Sequence, residues 1–274
     1  MYEHHSAYHR LRVVDNDGVR TLIFEHNHQS SMHLDDPFES DIEYVGYLHL
    51  TLAVKPDAAR TLVLGLGGGS VVKRMWRDYP QMRLDVIELD PEVVAIARAF
   101  FELPDDPRIT VIVEEGRSFV RRAAGPYDII IVDAFDDDRI PRPLTTEEFL
   151  RECRDLLAPG GVIAYNVIGS VRGDDSKPFR SLHRTASNVW RKVWTFTVGS
   201  ADGSLEHTGN LVMLATDAEV TEDALLERIA VRVGGLVTVP AFERFGDDLY
   251  RGSLRTGDVP LITDPPRSGR RERR

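Results

Sequence analysis

The chain has 274 residues, of which 42% are hydrophobic and 28% charged, an ordinary composition for a globular protein with one sizeable domain. Its formal net charge of −10 argues against a general binder of nucleic acids or of anionic membranes. The single cysteine, Cys153, excludes an internal disulfide framework and fits a reducing compartment. No apolar run reaches the roughly 18 residues of a membrane span, and no signal-peptide pattern opens the chain. We therefore expect a cytoplasmic protein that contacts neither nucleic acid nor membrane.

The first 53 residues are predicted to form an antiparallel β appendage with a linking helix. Residues 10–14 and 20–24 are typical of strands, and Asp15–Gly18 between them is typical of a hairpin turn. Residues 40–55 then carry apolar side chains at helical spacing. Six of the nine histidines fall within residues 4–33, in the β part of this appendage. Since neither a cysteine nor an obvious carboxylate triad accompanies them, exposed or hydrogen-bonded imidazoles are favoured over a metal site.

From residue 54 onward strands and helices alternate, which predicts one α/β domain over residues 54–264. The predicted strands are 61–64, 84–89, 109–113, 127–132, 162–168, 193–198 and 210–216. Asp90 and Pro91 mark the start of one intervening helix, and Thr145–Glu148 can form a capping box at the start of another. Residues 265–274 are an arginine-rich tail, which we expect to be disordered.

A glycine-rich turn directly follows the first strand of this pattern, with Gly65, Gly67, Gly68 and Gly69. Glycines at alternate positions let the backbone approach a ligand where a Cβ would collide. Glu88 follows about 20 residues later, the spacing that a pair of ribose hydroxyls requires. A dinucleotide fingerprint would place glycine at Ser70, and Leu156–Ile163 is typical of class I methyltransferase folds. The sequence thus predicts an S-adenosylmethionine-methyltransferase-like Rossmann fold that binds an S-adenosyl nucleoside.

Motifs spread over residues 8–264 agree with one family more specifically. They are Gln29–Ser31, Glu43–His49, Gly65–Ser70, Val86–Val93, Asp128–Asp136, Asn166–Gly169 and Leu261–Asp264. Together they resemble the spermidine synthase (polyamine aminopropyltransferase) family, and most of all its bacterial spermidine-synthase-like branch. The resemblance implies transfer of an aminopropyl group from decarboxylated S-adenosylmethionine to a polyamine or related amine, without a permanently bound cofactor. It also implies, by analogy, a homodimer.

On the donor side, the resemblance implies that Glu88, with Leu89 beside it, holds the ribose above the glycine turn. Glu115 and Gly116 stand where the family has an Asp-Gly pair beside the adenine. Gln29 would reach the donor from the β appendage. The nucleoside bound there would be decarboxylated S-adenosylmethionine, S-adenosylmethionine or methylthioadenosine.

On the acceptor side, Asp133 and Asp136 stand where the family has two acceptor-binding aspartates, and Tyr44 and His49 would line the same pocket. An amine with a lysine-like pKa of about 10.4 is almost wholly protonated near pH 7. A carboxylate at the end of a buried strand can orient this amine and accept its proton. Asp133 is therefore predicted to orient and deprotonate the acceptor, the alternative being a helix or loop cap. Asp137 and Asp138, by contrast, are predicted to be a solvated loop face.

Three positions depart from the family pattern. Gly68 stands where the family has an aspartate that pairs with the donor's ammonium, and a gap-free register puts Glu43 rather than Tyr44 at a channel tyrosine. A late tyrosine is missing where Leu205–His207 lie. Because glycine N–H groups tolerate a carboxylate that an aspartate would repel, we hypothesise donor selectivity that is relaxed or shifted toward S-adenosylmethionine or methylthioadenosine. Two alternatives stay open: an S-adenosylmethionine-dependent methyltransferase and a non-catalytic nucleoside-binding protein.

Overall fold

The structure is a computed structural model that describes residues 1–136, 139–199 and 205–266. The solvated face predicted for Asp137 and Asp138, and the tail from residue 267 onward, lie outside these residues. Among the described residues, no helix has the length and hydropathy needed to cross a membrane. The same residues contain no cluster of three or more His, Cys, Asp or Glu side chains that could hold a metal ion.

The N-terminal appendage is a four-stranded antiparallel sheet. Its strands, in spatial order, are β1 (Tyr2–His5), β2 (Arg10–Asn16), β3 (Val19–Phe24) and β4 (Asn27–His33). The predicted hairpin joins β2 and β3, and Asp17 and Gly18 both have the positive φ that a tight hairpin turn requires. The strands β1 and β4 were not predicted. The sheet buries Leu11 and Leu22 against Phe101 of the following domain, so that the appendage is docked by an apolar contact.

The predicted α/β domain has a seven-stranded mixed sheet in the order β10-β11-β9-β8-β5-β6-β7. Its strands are β5 (Arg60–Leu64), β6 (Arg83–Glu88), β7 (Ile109–Val113), β8 (Tyr127–Val132), β9 (Leu157–Gly169), β10 (Lys192–Thr197) and β11 (Gly209–Thr216). The first five are parallel to one another, whereas β10 and β11 form an antiparallel hairpin on the edge of β9. Residues 129–132 of β8 are completely buried because helices cover both faces of the sheet.

The described residues form eight α-helices, four of which begin at a residue whose side chain caps the first turn. They are α1 (Tyr44–Tyr47), α2 (Thr51–Val54), α3 (Ser70–Asp78), α4 (Pro91–Phe100), α5 (Gly116–Arg122), α6 (Glu147–Leu156), α7 (Lys177–Val189) and α8 (Glu222–Ala230), with a 3₁₀ helix at Phe242–Asp248. The Asp90 side chain accepts the N–H of Glu92 at α4, and Thr146 accepts that of Phe149 at α6. The single helix predicted over 40–55 is instead α1 and α2 joined by a 3₁₀ turn, and α5 was not predicted.

Candidate active site

The carboxyl ends of three neighbouring strands border a cavity of about 390 Å³. Because β5 lies between β6 and β8, the glycine turn that follows β5 is flanked by Glu88 at the end of β6 and by Asp133 directly after β8. Gln29 of β4 closes the cavity from the appendage. Glu88, Asp133 and Gln29 thus lie together at the sheet edge where ligands of such folds bind.

Two of the four predicted glycines line this cavity, and each is held close to another segment. Gly65 has a φ of +99°, and a Cβ there would lie 2.1 Å from the carbonyl oxygen of Asp133. Gly67 has a φ of +53°, and a Cβ there would lie 2.6 Å from Oγ of Ser30. Only glycine lets the turn pass between the Asp133 backbone and β4.

Gly68 and Gly69 do not line the cavity, and their contact with the nucleoside stays a prediction. A Cβ at Gly68 would lie 2.8 Å from the ring of Phe101, and one at Gly69 would lie 3.0 Å from Leu103. The N–H of Gly68 already donates to Oγ of Ser30 at 2.8 Å. Because this N–H already has an acceptor, it lends no support to the hypothesis of shifted donor selectivity, which stays a hypothesis.

Glu88 fixes the glycine turn to the end of β6. Its carboxylate accepts the backbone N–H of Leu66 and that of Asp90, each at 2.9 Å. Burial raises the pKa of Glu88, and these backbone hydrogen bonds oppose the shift because they favour the charged form. Each oxygen keeps a further lone pair, so the carboxylate can accept hydroxyl groups from a ligand. Leu89, 42% exposed, extends the same wall with an apolar surface.

Glu115 and Gly116 form the wall at the start of α5. The Glu115 carboxylate caps this helix by accepting the N–H groups of Arg117 and Ser118 at 2.9 and 2.8 Å. Gly116 faces Leu144, and a Cβ at Gly116 would lie 3.5 Å from the Leu144 side chain. Both predicted residues therefore lie in the cavity, between a capped helix and an apolar side chain suited to a flat ring.

Asp133 is held by side chains from two other elements. Its Oδ1 accepts the side-chain amide of Asn166 in β9 at 2.9 Å, and its Oδ2 accepts the hydroxyl of Tyr44 in α1 at 3.2 Å. Burial raises the pKa of Asp133 to about 6, and the two hydrogen bonds oppose that shift. Burial also raises the pKa of Tyr44, so its hydroxyl stays protonated and able to donate. At pH 7 this carboxylate is therefore ionised in most copies of the protein, but the pH is only about one unit above its pKa.

The acceptor residues predicted around Asp133 reach the cavity only in part. Tyr44 lines it, while the neighbouring Glu43 approaches Gly199 on another side of α1. His49 does not line it: the residue is completely buried, and its Nδ1 lies 2.6 Å from the hydroxyl of Tyr79. Its role in substrate binding stays a prediction. Burial lowers the pKa of His49 to about 3, so the ring is neutral. Asp136 is exposed and does not line this cavity, and its role as a second acceptor aspartate stays a prediction.

Several cavity residues were missed by the sequence interpretation. Tyr8, His9 and Phe24 of the appendage line the cavity, and the rings of His9 and Phe24 stack at 4.7 Å between centroids. Nothing in the local sequence indicates this contact. Asn166, in contrast, has a signal that could have been used, because it is a polar residue inside an otherwise apolar strand.

Comparison with known proteins points to one family. The model of the spermine/spermidine synthase domain matches residues 44–196. The polyamine aminopropyltransferase of Vibrio vulnificus is 29% identical over 266 residues, which cover 92% of this chain and 87% of the relative. That of Chromobacterium violaceum is 35% identical over 158 residues, which cover 57% of this chain and 60% of the relative.

Solved structures show the same fold. A probable spermidine synthase from Corynebacterium glutamicum superposes with a TM-score of 0.76 at 20% identity, covering 97% of both chains. A spermidine synthase in complex with the transition-state analogue AdoDATO superposes with a TM-score of 0.70 at 19% identity, covering 90% of this chain and 88% of the other. Human methyltransferase-like protein 13 in complex with SAH reaches 0.59 at 21% identity, covering 79% of this chain and 97% of the other. The predicted methyltransferase-like Rossmann fold is thereby confirmed.

Proposed function

Because the chain belongs to the spermine/spermidine synthase family, as its match over residues 44–196 shows, we propose that it transfers an aminopropyl group from decarboxylated S-adenosylmethionine to a polyamine or a related amine. One observation on the structure supports the proposal in addition to the family match. The half-buried carboxylate of Asp133, held by Tyr44 and Asn166, shares a cavity with Glu88 across a glycine turn, and its surroundings raise its pKa to about 6. A binding carboxylate and a titrating carboxylate are thus available to one ligand.

The reaction requires a neutral amine at the carbon next to a sulfonium. Asp133, ionised near pH 7, accepts a proton from the ammonium form of the acceptor, and the freed nitrogen lone pair attacks this carbon. A nitrogen–carbon bond forms while the carbon–sulfur bond breaks, and its electron pair leaves with the sulfur as a neutral thioether. The products are the alkylated amine and methylthioadenosine. Fixing both reactants in line supplies much of the remaining acceleration.

The charges around the cavity favour a cationic donor. The carboxylates of Glu88, Asp90, Glu115 and Asp133 line it, whereas that of Glu114 is paired with Arg122. Its two arginines, Arg117 and Arg121, are engaged by Glu152 and Asp264. Decarboxylated S-adenosylmethionine carries two positive charges and no carboxylate, so it complements this lining better than S-adenosylmethionine does.

The proposal is tested by mass spectrometry of the products formed from each donor with putrescine and with spermidine. We expect the mass gain of an aminopropyl group, with decarboxylated S-adenosylmethionine as the donor. Asp133→Asn should lower kcat by about 100-fold or more, as expected for the loss of a general base. Glu88→Gln should mainly raise the KM of the donor, because it weakens ribose binding.

The matched control is Asp105→Asn, an exposed aspartate outside the cavity, which should leave both constants unchanged. An Asp133→Asn enzyme with normal kcat would refute the role of that residue. A product that gains a methyl group from S-adenosylmethionine would instead support the methyltransferase alternative.

A further inference from the structure

Two asparagines lie on one face of the apolar strands behind Asp133. Asn166 in β9 is 1% exposed, and Asn210 in β11 is half-buried. In the antiparallel register, Asn210 lies opposite Ile168 and Val212 lies opposite Asn166. Because alternate side chains of a strand share a face, Asn166 and Asn210 are diagonal neighbours across the two strands.

The two amides and the carboxylate form one directed series of hydrogen bonds. Nδ2 of Asn210 donates to Oδ1 of Asn166 at 2.9 Å, and Nδ2 of Asn166 donates to Oδ1 of Asp133 at 2.9 Å. An ionised carboxylate only accepts, so Asn166 must turn its NH₂ group toward Asp133 and its oxygen away. That oxygen then requires a donor, and Asn210 supplies it. A reversed Asn166 amide would place oxygen against oxygen at Asp133 and N–H against N–H at Asn210.

We propose that Asn210 is a positioning residue for the transfer reaction, which holds the Asn166 amide in the orientation that donates to Asp133. The inference rests on the proposed function, in which Asp133 receives the proton of the amine. Asn210 touches neither Asp133 nor the cavity, so its effect passes through Asn166. By keeping an N–H on the carboxylate, it favours the charged form that can accept a proton.

Among the residues that the structure describes, few other ionisable groups face Asp133. Tyr44 approaches it from α1, and the glycine turn after β5 and β4 of the appendage present Gly65 and Gln29, which do not titrate. Glu88 faces it from the end of β6 across the cavity, and Glu115 from the start of α5. The shift in the pKa of Asp133 is set by burial and by its bonds to Asn166 and Tyr44. Loss of the hydrogen bond from Asn166 therefore raises the pKa of Asp133 directly.

Asn210→Asp tests the relay, because a carboxylate at that position competes with Asp133 for the NH₂ group of Asn166. The pKa of Asp133 is measured by carbon-13 NMR of labelled carboxyl groups, with Asp133→Asn identifying its signal. The added charge also acts through space, so the same substitution is made in an Asn166→Leu background, where no relay exists. We expect the pKa of Asp133 to rise by about one pH unit more in the native background, the value of one hydrogen bond to a charged group. The acid limb of kcat/KM should move upward by the same amount.

Equal shifts in the two backgrounds would overturn the proposal, because the effect would then be charge alone. The NMR measurement does not depend on turnover, so it separates failure of this inference from failure of the proposed reaction. Asn188→Asp, an exposed asparagine of α7, is the matched control and should leave the pKa of Asp133 unchanged.

A second variant covers the case in which Asn166→Leu does not fold. Asn210→Leu removes the donor without adding charge. It should lower kcat/KM below pH 6 while leaving the Kd of the donor, measured by calorimetry, unchanged. An unchanged kcat/KM there would equally refute the role of Asn210.

Discussion

Lys73 is a buried cation behind the glycine turn, and its removal should make protein stability respond less to pH. It lies in α3, which begins at the end of that turn, and its side chain is 1% exposed. Its ammonium donates to the backbone oxygens of Pro37 and Phe101, each at 2.6 Å. These bonds join α3 to the loop after β4 and to the end of α4. Both partners are neutral, so they offset only part of the cost of burying a charge.

The magnitude follows from the pKa of Lys73. Burial lowers this pKa to about 8, and the charges of Glu102 and Asp36 oppose part of the shift. In the unfolded chain, a lysine titrates near 10.4, so between about pH 8 and pH 10.4 the unfolded state binds more protons and stability rises with pH. The gap of about 2.4 between the two pKa values corresponds to roughly 3 kcal/mol of unfolding free energy.

Urea unfolding of the native protein and of Lys73→Met, at several pH values from about 7 to 10.5, measures this contribution. Other lysines and tyrosines titrate in the same range, but they cancel in the difference between the two proteins. Methionine leaves the two backbone oxygens unpaired, which adds a cost that does not depend on pH. Across this pH range, we expect the unfolding free energy of the native protein to rise by about 3 kcal/mol relative to that of Lys73→Met. A difference that stays constant with pH would refute the reasoning.

Three further predictions concern the cavity. Gly65→Ala should lower both the unfolding free energy and the transfer rate, because its Cβ would lie 2.1 Å from the carbonyl oxygen of Asp133; normal values of both in urea unfolding and steady-state kinetics would contradict the contact. The kcat/KM of the native enzyme should rise with pH through about 6, since the pKa of Asp133 is raised to about 6 and only its ionised form accepts the proton. In the same pH profile, Asp133→Asn should not show this rise. Gly68→Asp should destabilise the protein without tightening donor binding in calorimetry, because a Cβ there meets Phe101 at 2.8 Å and Ser30 at 2.9 Å.

Local signals predicted most of the regular structure. Asp90 caps α4 as the sequence predicts, whereas α6 is capped by Thr146, one residue after the Thr145 of the predicted capping box. The apolar run of β8 is a central strand because both of its faces are buried. The strand β4 was missed for a physical reason. Its buried positions include Ser30 and Ser31, which bond the glycine turn and a neighbouring loop rather than an apolar core. A strand that serves a binding loop does not show the hydrophobic alternation by which strands are recognised.

The site was predictable where one segment alone fixes a residue's position. Glu88 and Asp133 end or follow buried strands, so the direction of the chain brings each to the same sheet edge. His49 lies outside the cavity, in a short 3₁₀ turn that connects α1 to α2, and its ring bonds Tyr79. Tyr8 and Asn210 depend on contacts between distant segments, which no local pattern reveals.

The two carboxylates at this edge are suited to different tasks by the groups that bond them. Glu88 accepts two backbone N–H groups, which are fixed by the turn after β5 and by the start of α4, so its charge and direction are set by the main chain. Within the described part of the chain, the donors to the Asp133 carboxylate are the side chains of Tyr44 and Asn166, so its affinity for a proton can be adjusted by single residues without moving the strand. A residue that binds a ribose benefits from the first arrangement, since it must never exchange a proton. A residue that deprotonates an amine requires the second, because it must gain and lose one proton in every turnover.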